Sequence, residues 1–180
     1  MPIDFPTSPS SGQRYDYLSK SWIWNHENHT YIVVKAPNMS LKIIEFGSPS
    51  YQKMVDLRFQ ILRNPLGLTF DQADLDKEKD DILIGFFEDD DLEGCCILTP
   101  DNKTIIRLRQ MAVVSGLQGK GIGRVIMNFA ENVARDRGYK MLHMHARKSA
   151  VGFYQKLGYE ITGDEFEEVT IPHYEMQKTL

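Results

Sequence analysis

The chain has 180 residues, 26% charged and 42% apolar, with a net charge of 21 − 25 = −4. That length bounds one domain, or one domain with a short extension. The acidic balance excludes an overall electrostatic footprint for nucleic acid and leaves only a local basic patch open. No run reaches the roughly 18 apolar residues of a membrane span, and Met1–Arg14 lacks the apolar core of a secretory signal. Cys95 and Cys96 are adjacent, a spacing that rarely bridges. No second Cys/His cluster offers metal-ligand spacing, so no metal is expected. Both cysteines are expected to be reduced and partly buried in a cytoplasmic protein.

Residues 1–40 carry Pro, Ser, Asn and His with little periodicity, and only Tyr31–Val34 reads as a strand. They are expected to form a loosely packed extension, with the compact domain over 41–180. Leu41–Phe46 is a strand, and Gly47-Ser48-Pro49-Ser50 is a break rich in capping residues. Tyr51–Arg63 predicts a helix ended by Asn64-Pro65. Leu66–Leu68 is an apolar loop, and Asp71–Lys79 an acidic loop or short helix. Asp81–Phe87 and Leu92–Thr99 flank the acidic turn Glu88–Asp91 as a hairpin. Thr104–Val114 is a third strand whose alternation falters near Gln110–Ala112, which predicts a bulge. After a Gly-rich turn at 116–123, Val125, Ile126, Phe129, Ala130, Val133 and Ala134 fall on one helical face. Gly138 ends that helix. Lys140–His145 is a strand, Ser149–Leu157 a short helix, and Tyr159–Thr162 and Val169–Gln177 the last strands. The order specifies a mixed α/β sheet.

The informative segment is Met111–Arg124, a strand running into Gln118-Gly119-Lys120-Gly121-Ile122-Gly123 and then into an amphipathic helix. Amides at a helix N-terminus attract anions, and glycines let the backbone approach a phosphate. Lys120 and Arg124 add positive charge at the same end, which suits a diphosphate. A P-loop does not fit, because Lys120 lies between glycines. A dinucleotide loop does not fit either, because Arg124 stands where its third glycine belongs. Alone, the segment is also compatible with an ordinary tight strand-to-helix turn.

The stretch from Arg107 to Tyr159 resembles the GNAT superfamily of N-acetyltransferases, in a small bacterial-type form. The resemblance rests on three linked pieces: Met111-Ala112-Val113 near a strand end; Gln118–Gly123 with Arg124, matching Q/R-x-x-G-x-G/A; and Ala150, Phe153-Tyr154, Lys156-Leu157-Gly158-Tyr159, matching A-x-x-F-Y-x-K-x-G-F/Y. It covers about residues 41–180 and implies the acyl-CoA N-acyltransferase fold, a mixed, mostly antiparallel sheet flanked by helices. It also implies acetyl-CoA as cosubstrate and a small-molecule amine as acceptor, with no nucleic-acid or membrane partner. A homodimer stays open. Backbone groups of Met111, Ala112 and Val113 would pair with the pantetheine arm. Amides from Gln118 through Gly119, Lys120, Gly121, Ile122, Gly123 and Arg124 would hold the diphosphate. Phe153 and Tyr154 would flank the thiol.

The reaction so implied is direct attack of a neutral amine on the thioester, with a proton supplied to the leaving thiolate. Tyr154 matches the family's proton donor, and a core aromatic is the alternative reading. The strand positions where relatives place a His or Glu base hold Arg107 and Arg109, which stay protonated. Those guanidinium groups could bind an acceptor carboxylate or phosphate, or pair with the chain's own acids. Arg147 stands where relatives often carry Asn. His143 or His145 could face the acceptor as base. His173 or Glu168, in an acidic run ending Ile171-Pro172-His173-Tyr174, could line its pocket. Arg109, His145 and His173 are therefore the candidate acceptor residues. The competing function is a catalytically weak acyl-CoA-binding module of the same fold.

Overall fold

The computed structural model describes residues 38–180 in full and, ahead of them, Glu27 and the backbone of 14–17, 20–25 and 30–34. The chain divides between Asn38 and Met39 into two compact units. In the first, β1 (Arg14–Tyr17), β2 (Lys20–Asn25) and β3 (Thr30–Val34) form an antiparallel sheet in the order β1-β2-β3. The single strand expected at Tyr31–Val34 is thus one of three among the described residues of this unit. The apolar run Trp22-Ile23-Trp24 has no alternation, which hid β2 from a period-2 search. The loose packing expected of residues 1–40 concerns side chains that lie outside the described residues.

The second unit opens with β4 (Met39–Ile44) and α1 (Pro49–Arg58). Ser48 Oγ accepts from the Tyr51 amide at 3.2 Å, and Pro49 occupies the first turn, where its missing N–H costs nothing. The predicted helix over 51–63 is regular only to Arg58. It then widens into a π turn over Phe59–Arg63 and tightens over Asn64–Leu66, where Pro65 cannot continue the i→i−4 ladder. α2 (Gln72–Asp76) is a single turn capped by Asp71.

There follow β5 (Ile82–Glu88), β6 (Asp91–Pro100), β7 (Ile105–Val113), α3 (Ile122–Asp136), β8 (Met141–Arg147), α4 (Val151–Gln155), β9 (Glu160–Ile161), β10 (Phe166–Glu168) and β11 (Ile171–Thr179). The sheet order is β10-β11-β8-β7-β6-β5-β4, with β9 also on β11. Only β7 and β8 are parallel, as the intervening helix requires. Among the described residues, no helix is long and apolar enough to cross a membrane.

Both faces of the sheet are covered. Ile84, Cys96, Leu98, Ile106, Leu108 and Met144 pack on α3 through Ile126, Met127, Ala130 and Ala134. Leu83, Phe87, Cys95 and Ile97 pack on α1 through Tyr51, Met54 and Leu57. Two buried faces explain why β5 and β6 read as apolar runs rather than alternating strands. Cys95 and Cys96 therefore point to opposite faces, both free and fully buried rather than partly so. Burial pushes the Cys95 thiol up to about 12 and the Cys96 thiol well above its usual value, which keeps both unreactive.

The β10–β11 hairpin closes through Val169-Thr170, between the paired residues Glu168 and Ile171. Both turn residues have left-handed φ, +54° and +62°. Branching at Cβ disfavours that region by about 1–2 kcal/mol per residue. The double variant Val169→Asn/Thr170→Gly is therefore expected to stabilise the protein by about 1–2 kcal/mol in urea denaturation. An unchanged or lower midpoint would show that this turn is not strained.

Candidate active site

The sheet opens where β7 leaves β8. Their last pair is Leu108 with Met144. On the other edge of β7, Arg109 pairs with Ile97 and Ala112 with Cys95, so Gln110 and Met111 together face Cys96. Gln110 takes φ +50°. This is the bulge predicted near Gln110–Ala112, and it bends β7 away from its parallel neighbour. A cleft of about 700 Å³ lies in the gap. The Val114 amide donates to the Glu93 carbonyl at 3.0 Å, which turns the backbone groups of Val113 toward the open side. Gln118 Nε2 donates to the Val113 carbonyl at 3.1 Å. Beyond Leu108, β7 has no pairing with β8, so its Met111–Val113 stretch presents an open strand edge on that side.

At one end of the cleft lies the Gly-rich turn. Leu117 donates to Val114 O and Lys120 to Leu117 O, which coils the chain. Gly119 and Gly121 then take φ +81° and +93°, a region only glycine enters freely. Gly121 caps α3 and supplies no side-chain oxygen. The first amides of α3 thus have no partner within the helix. A Cβ on Gly123 would stand 3.2 Å from the Phe153 ring, so that residue seats α3 against α4. Arg124 and Lys156 line the same end.

Most of the predicted cofactor residues converge here: Met111, Ala112, Val113, Gln118, Gly119, Gly121, Gly123, Arg124, Phe153 and Tyr154 all line the cleft. Lys120 and Ile122 do not. The Lys120 amide is engaged by Leu117, its side chain is exposed, and Ile122 packs against the α3 core.

Tyr154 is buried on α4, with Phe153 edge-on at 4.9 Å and Tyr159 behind it at 6.0 Å. Tyr159 is itself tied to Glu131, which Lys178 neutralises at 2.8 Å. Burial holds the Tyr154 phenol far above its usual pKa. The phenol therefore stays protonated near neutral pH.

The opposite end lies on the α1 face of the sheet. Buried Leu142, Met144 and Ala146 face α3, so His143, His145 and Arg147 face the other way, with Arg107 and Arg109. His145 reaches the cleft, whereas His143 is held outside it by Asp101 and by Glu175 at 3.3 Å. His145 Nδ1 lies 2.5 Å from Glu168 Oε2 and 2.8 Å from an Arg107 nitrogen. Burial raises the Glu168 carboxyl, but the His145 hydrogen bond and the Arg107 charge outweigh it, and its pKa falls. Glu168 is therefore ionised and accepts the Nδ1 proton, leaving Nε2 of His145 without one when the ring is neutral. His173 is buried and lines the same end. Its Nδ1 donates to the Ile171 carbonyl at 2.7 Å, which likewise leaves Nε2 as acceptor. Phe166 stands between the rings, 4.9 Å from His145 and 6.0 Å from His173.

Arg109 is held loosely, 3.3 Å from Thr99 Oγ1 and 3.8 Å from Asp81. Arg147 reaches the Leu62 carbonyl at 3.4 Å. Ile61, Leu62, Arg63 and Leu66 complete this end. Arg63 was not singled out from the sequence as a site residue, being a lone cation at the end of a mixed segment, and Lys156 was read only as part of the Phe153–Tyr159 motif.

The model of the acetyltransferase (GNAT) domain matches residues 71–180. The chain belongs to the GNAT acetyltransferase family. Its GNAT sequence is 34% identical over 74 residues to the uncharacterized protein YyaT of Bacillus subtilis (strain 168), a match spanning 41% of this chain and half of that one. It is 26% identical over 145 residues to the uncharacterized N-acetyltransferase YitI of the same organism, covering 77% and 97% of the two chains. The chain thus spans about half the length of the first of these relatives. The fold superposes on a GNAT family acetyltransferase from Elizabethkingia anophelis with acetyl-CoA bound, at a TM-score of 0.61 and 20% identity over 79% of this chain and 99% of that one.

Proposed function

We propose that this protein transfers an acetyl group from acetyl-CoA to a primary amine of a small acceptor, by direct attack. The observation that carries the reading is the cleft itself. It joins the uncapped start of α3, the unpaired edge of β7, the buried phenol of Tyr154 and two imidazoles with engaged Nδ1 atoms. The acetyl-CoA in the Elizabethkingia anophelis neighbour supports the same cosubstrate here.

In this reading the α3 amides and Arg124 hold the diphosphate, and the edge of Met111 and Val113 pairs with the pantetheine amides as an added strand. The Nε2 atoms of His145 and His173 are the bases available to take the amine proton. As the C–N bond forms and the C–S bond breaks, the Tyr154 hydroxyl donates to the departing sulfur. Burial keeps that phenol protonated in the resting protein, so it still carries the proton that the departing sulfur needs.

Thermal-shift measurements should show stabilisation by acetyl-CoA and none by ATP or NAD. Free-thiol release with a panel of amines then separates catalysis from cofactor binding alone. Tyr154→Phe is expected to lower kcat by about 10- to 100-fold with little change in acetyl-CoA affinity. A kcat at the wild-type level would remove Tyr154 from the reaction.

A further inference from the structure

The acceptor end of the cleft is far more cationic than the protein. Arg63, Arg107, Arg109 and Arg147 line it, in a chain of net charge −4. Three carboxylates oppose them: Glu168, through His145; Asp81, 3.8 Å from Arg109; and exposed Asp74, whose charge acts on Arg63 and Arg109. Arg58 shows what a satisfied arginine looks like in this fold. It is fully buried, and both its terminal nitrogens meet Glu78, at 2.8 and 3.0 Å.

The cleft arginines lack such partners. The Nε atoms of Arg63 and Arg107 are buried with no hydrogen-bond partner. Arg63 stacks on the Phe70 ring at 5.1 Å and feels the charge of exposed Asp74, with no ion pair among the described residues. Arg107 faces His145 Nδ1, a position that Glu168 also claims. A nitrogen that donates its proton to Glu168 has no lone pair left for Arg107, so the guanidinium keeps its fork of donors. Gln110 Oε1, in the same cleft, is a buried acceptor without a partner. Buried polar atoms are rarely left unpaired without a role, and these comprise donors for an oxyanion beside an acceptor for an amine.

We infer that the acceptor carries an oxyanion, carboxylate or phosphate, held by Arg63 and Arg107, so that the substrate class is amino acids and related anionic amines. This rests on the transferase reading above and narrows it. Polyamines and aminoglycoside-like cations are excluded by the same charge.

The test compares kcat/KM for 4-aminobutyrate, O-phosphoethanolamine, 4-aminobutanamide and 1,4-diaminobutane. At least one anionic amine should exceed the neutral amide by about 10- to 100-fold, the range expected of a charge-assisted hydrogen bond, and the diamine should be poorest. Which anion leads distinguishes carboxylate from phosphate. Arg63→Gln and Arg107→Gln should each reduce the anionic-to-neutral ratio at least several-fold. Equal or better use of the neutral or dicationic amine overturns the inference, as does a ratio unchanged in both variants. Should no amine be acetylated, the transferase reading fails and titration decides the anion site. Preferential binding of 4-acetamidobutyrate over its amide by the CoA-loaded protein, weakened in Arg107→Gln, supports the site. Absence of that preference overturns it.

Discussion

Replacing Gly121 by glutamate is expected to weaken acetyl-CoA binding by more than about 100-fold, or about 3 kcal/mol. Two effects combine. Gly121 sits at φ +93°, and an L side chain there costs about 1–2 kcal/mol or tilts the first turn of α3. The new carboxylate also projects from the cap whose amides would meet the diphosphate, placing like charge against like. Packing plays no part, because nothing lies within 4 Å of a Cβ built on Gly121. Gly116→Glu is the matched control: its site is equally open, its φ is not left-handed, and it does not line the cleft. It should bind acetyl-CoA within a few-fold of wild type by isothermal titration calorimetry. Equal losses in both variants, or none in Gly121→Glu, would move the diphosphate away from α3.

Arg58→Ala is expected to cost about 3–5 kcal/mol of stability, enough to unfold a marginal domain. Arg58 is fully buried, pairs bidentately with Glu78 and donates from Nε to the Met54 carbonyl at 3.3 Å. Tyr51 donates to the same carboxylate at 2.8 Å. Removing Arg58 strands the Glu78 charge in the interior, and that uncompensated desolvation is most of the cost. The triple variant Tyr51→Phe/Arg58→Met/Glu78→Leu removes every member together and should recover most of the loss in urea denaturation. If it is as unstable as Arg58→Ala, packing rather than charge governs the site. The cluster joins α1 to the turn before β5. α1 leads directly into Ile61–Arg63 at the acceptor end, so any folded Arg58 variant should also show a raised acceptor KM.

How far each feature was legible depended on how local its cause is. The bulge at Gln110–Met111 announced itself as a break in period-2 alternation, and the strand-helix-strand order over 104–145 followed from segments with regular periods. Among the described residues of the first unit, β2 was missed because Trp22-Ile23-Trp24 does not alternate. The helix over 51–63 lost its last turn to a π widening that spacing alone does not distinguish from regular α-helix. Val169 and Thr170, both poor left-handed residues, gave no turn signal, so the last strand was started at Val169 and β10 was missed.

The site divided in the same way. The glycines at 119, 121 and 123 and the Phe153-Tyr154 pair are contiguous motifs, because a phosphate-binding turn and its packing partner are built from neighbouring residues. The local pattern thereby marked the positions proposed for the diphosphate and for the phenolic donor. It could not decide between His143 and His145, two residues apart on one face of β8. That choice depends on Asp101 and Glu175 holding one while Glu168 turns the other toward the cleft. Nor could it gather Arg63 from beyond α1, Arg107 and Arg109 from β7 and Arg147 from β8 into one cationic end. Long-range strand pairing and helix packing create that proximity, and charges far apart in sequence acquire a common field only when folding brings them within a few ångströms.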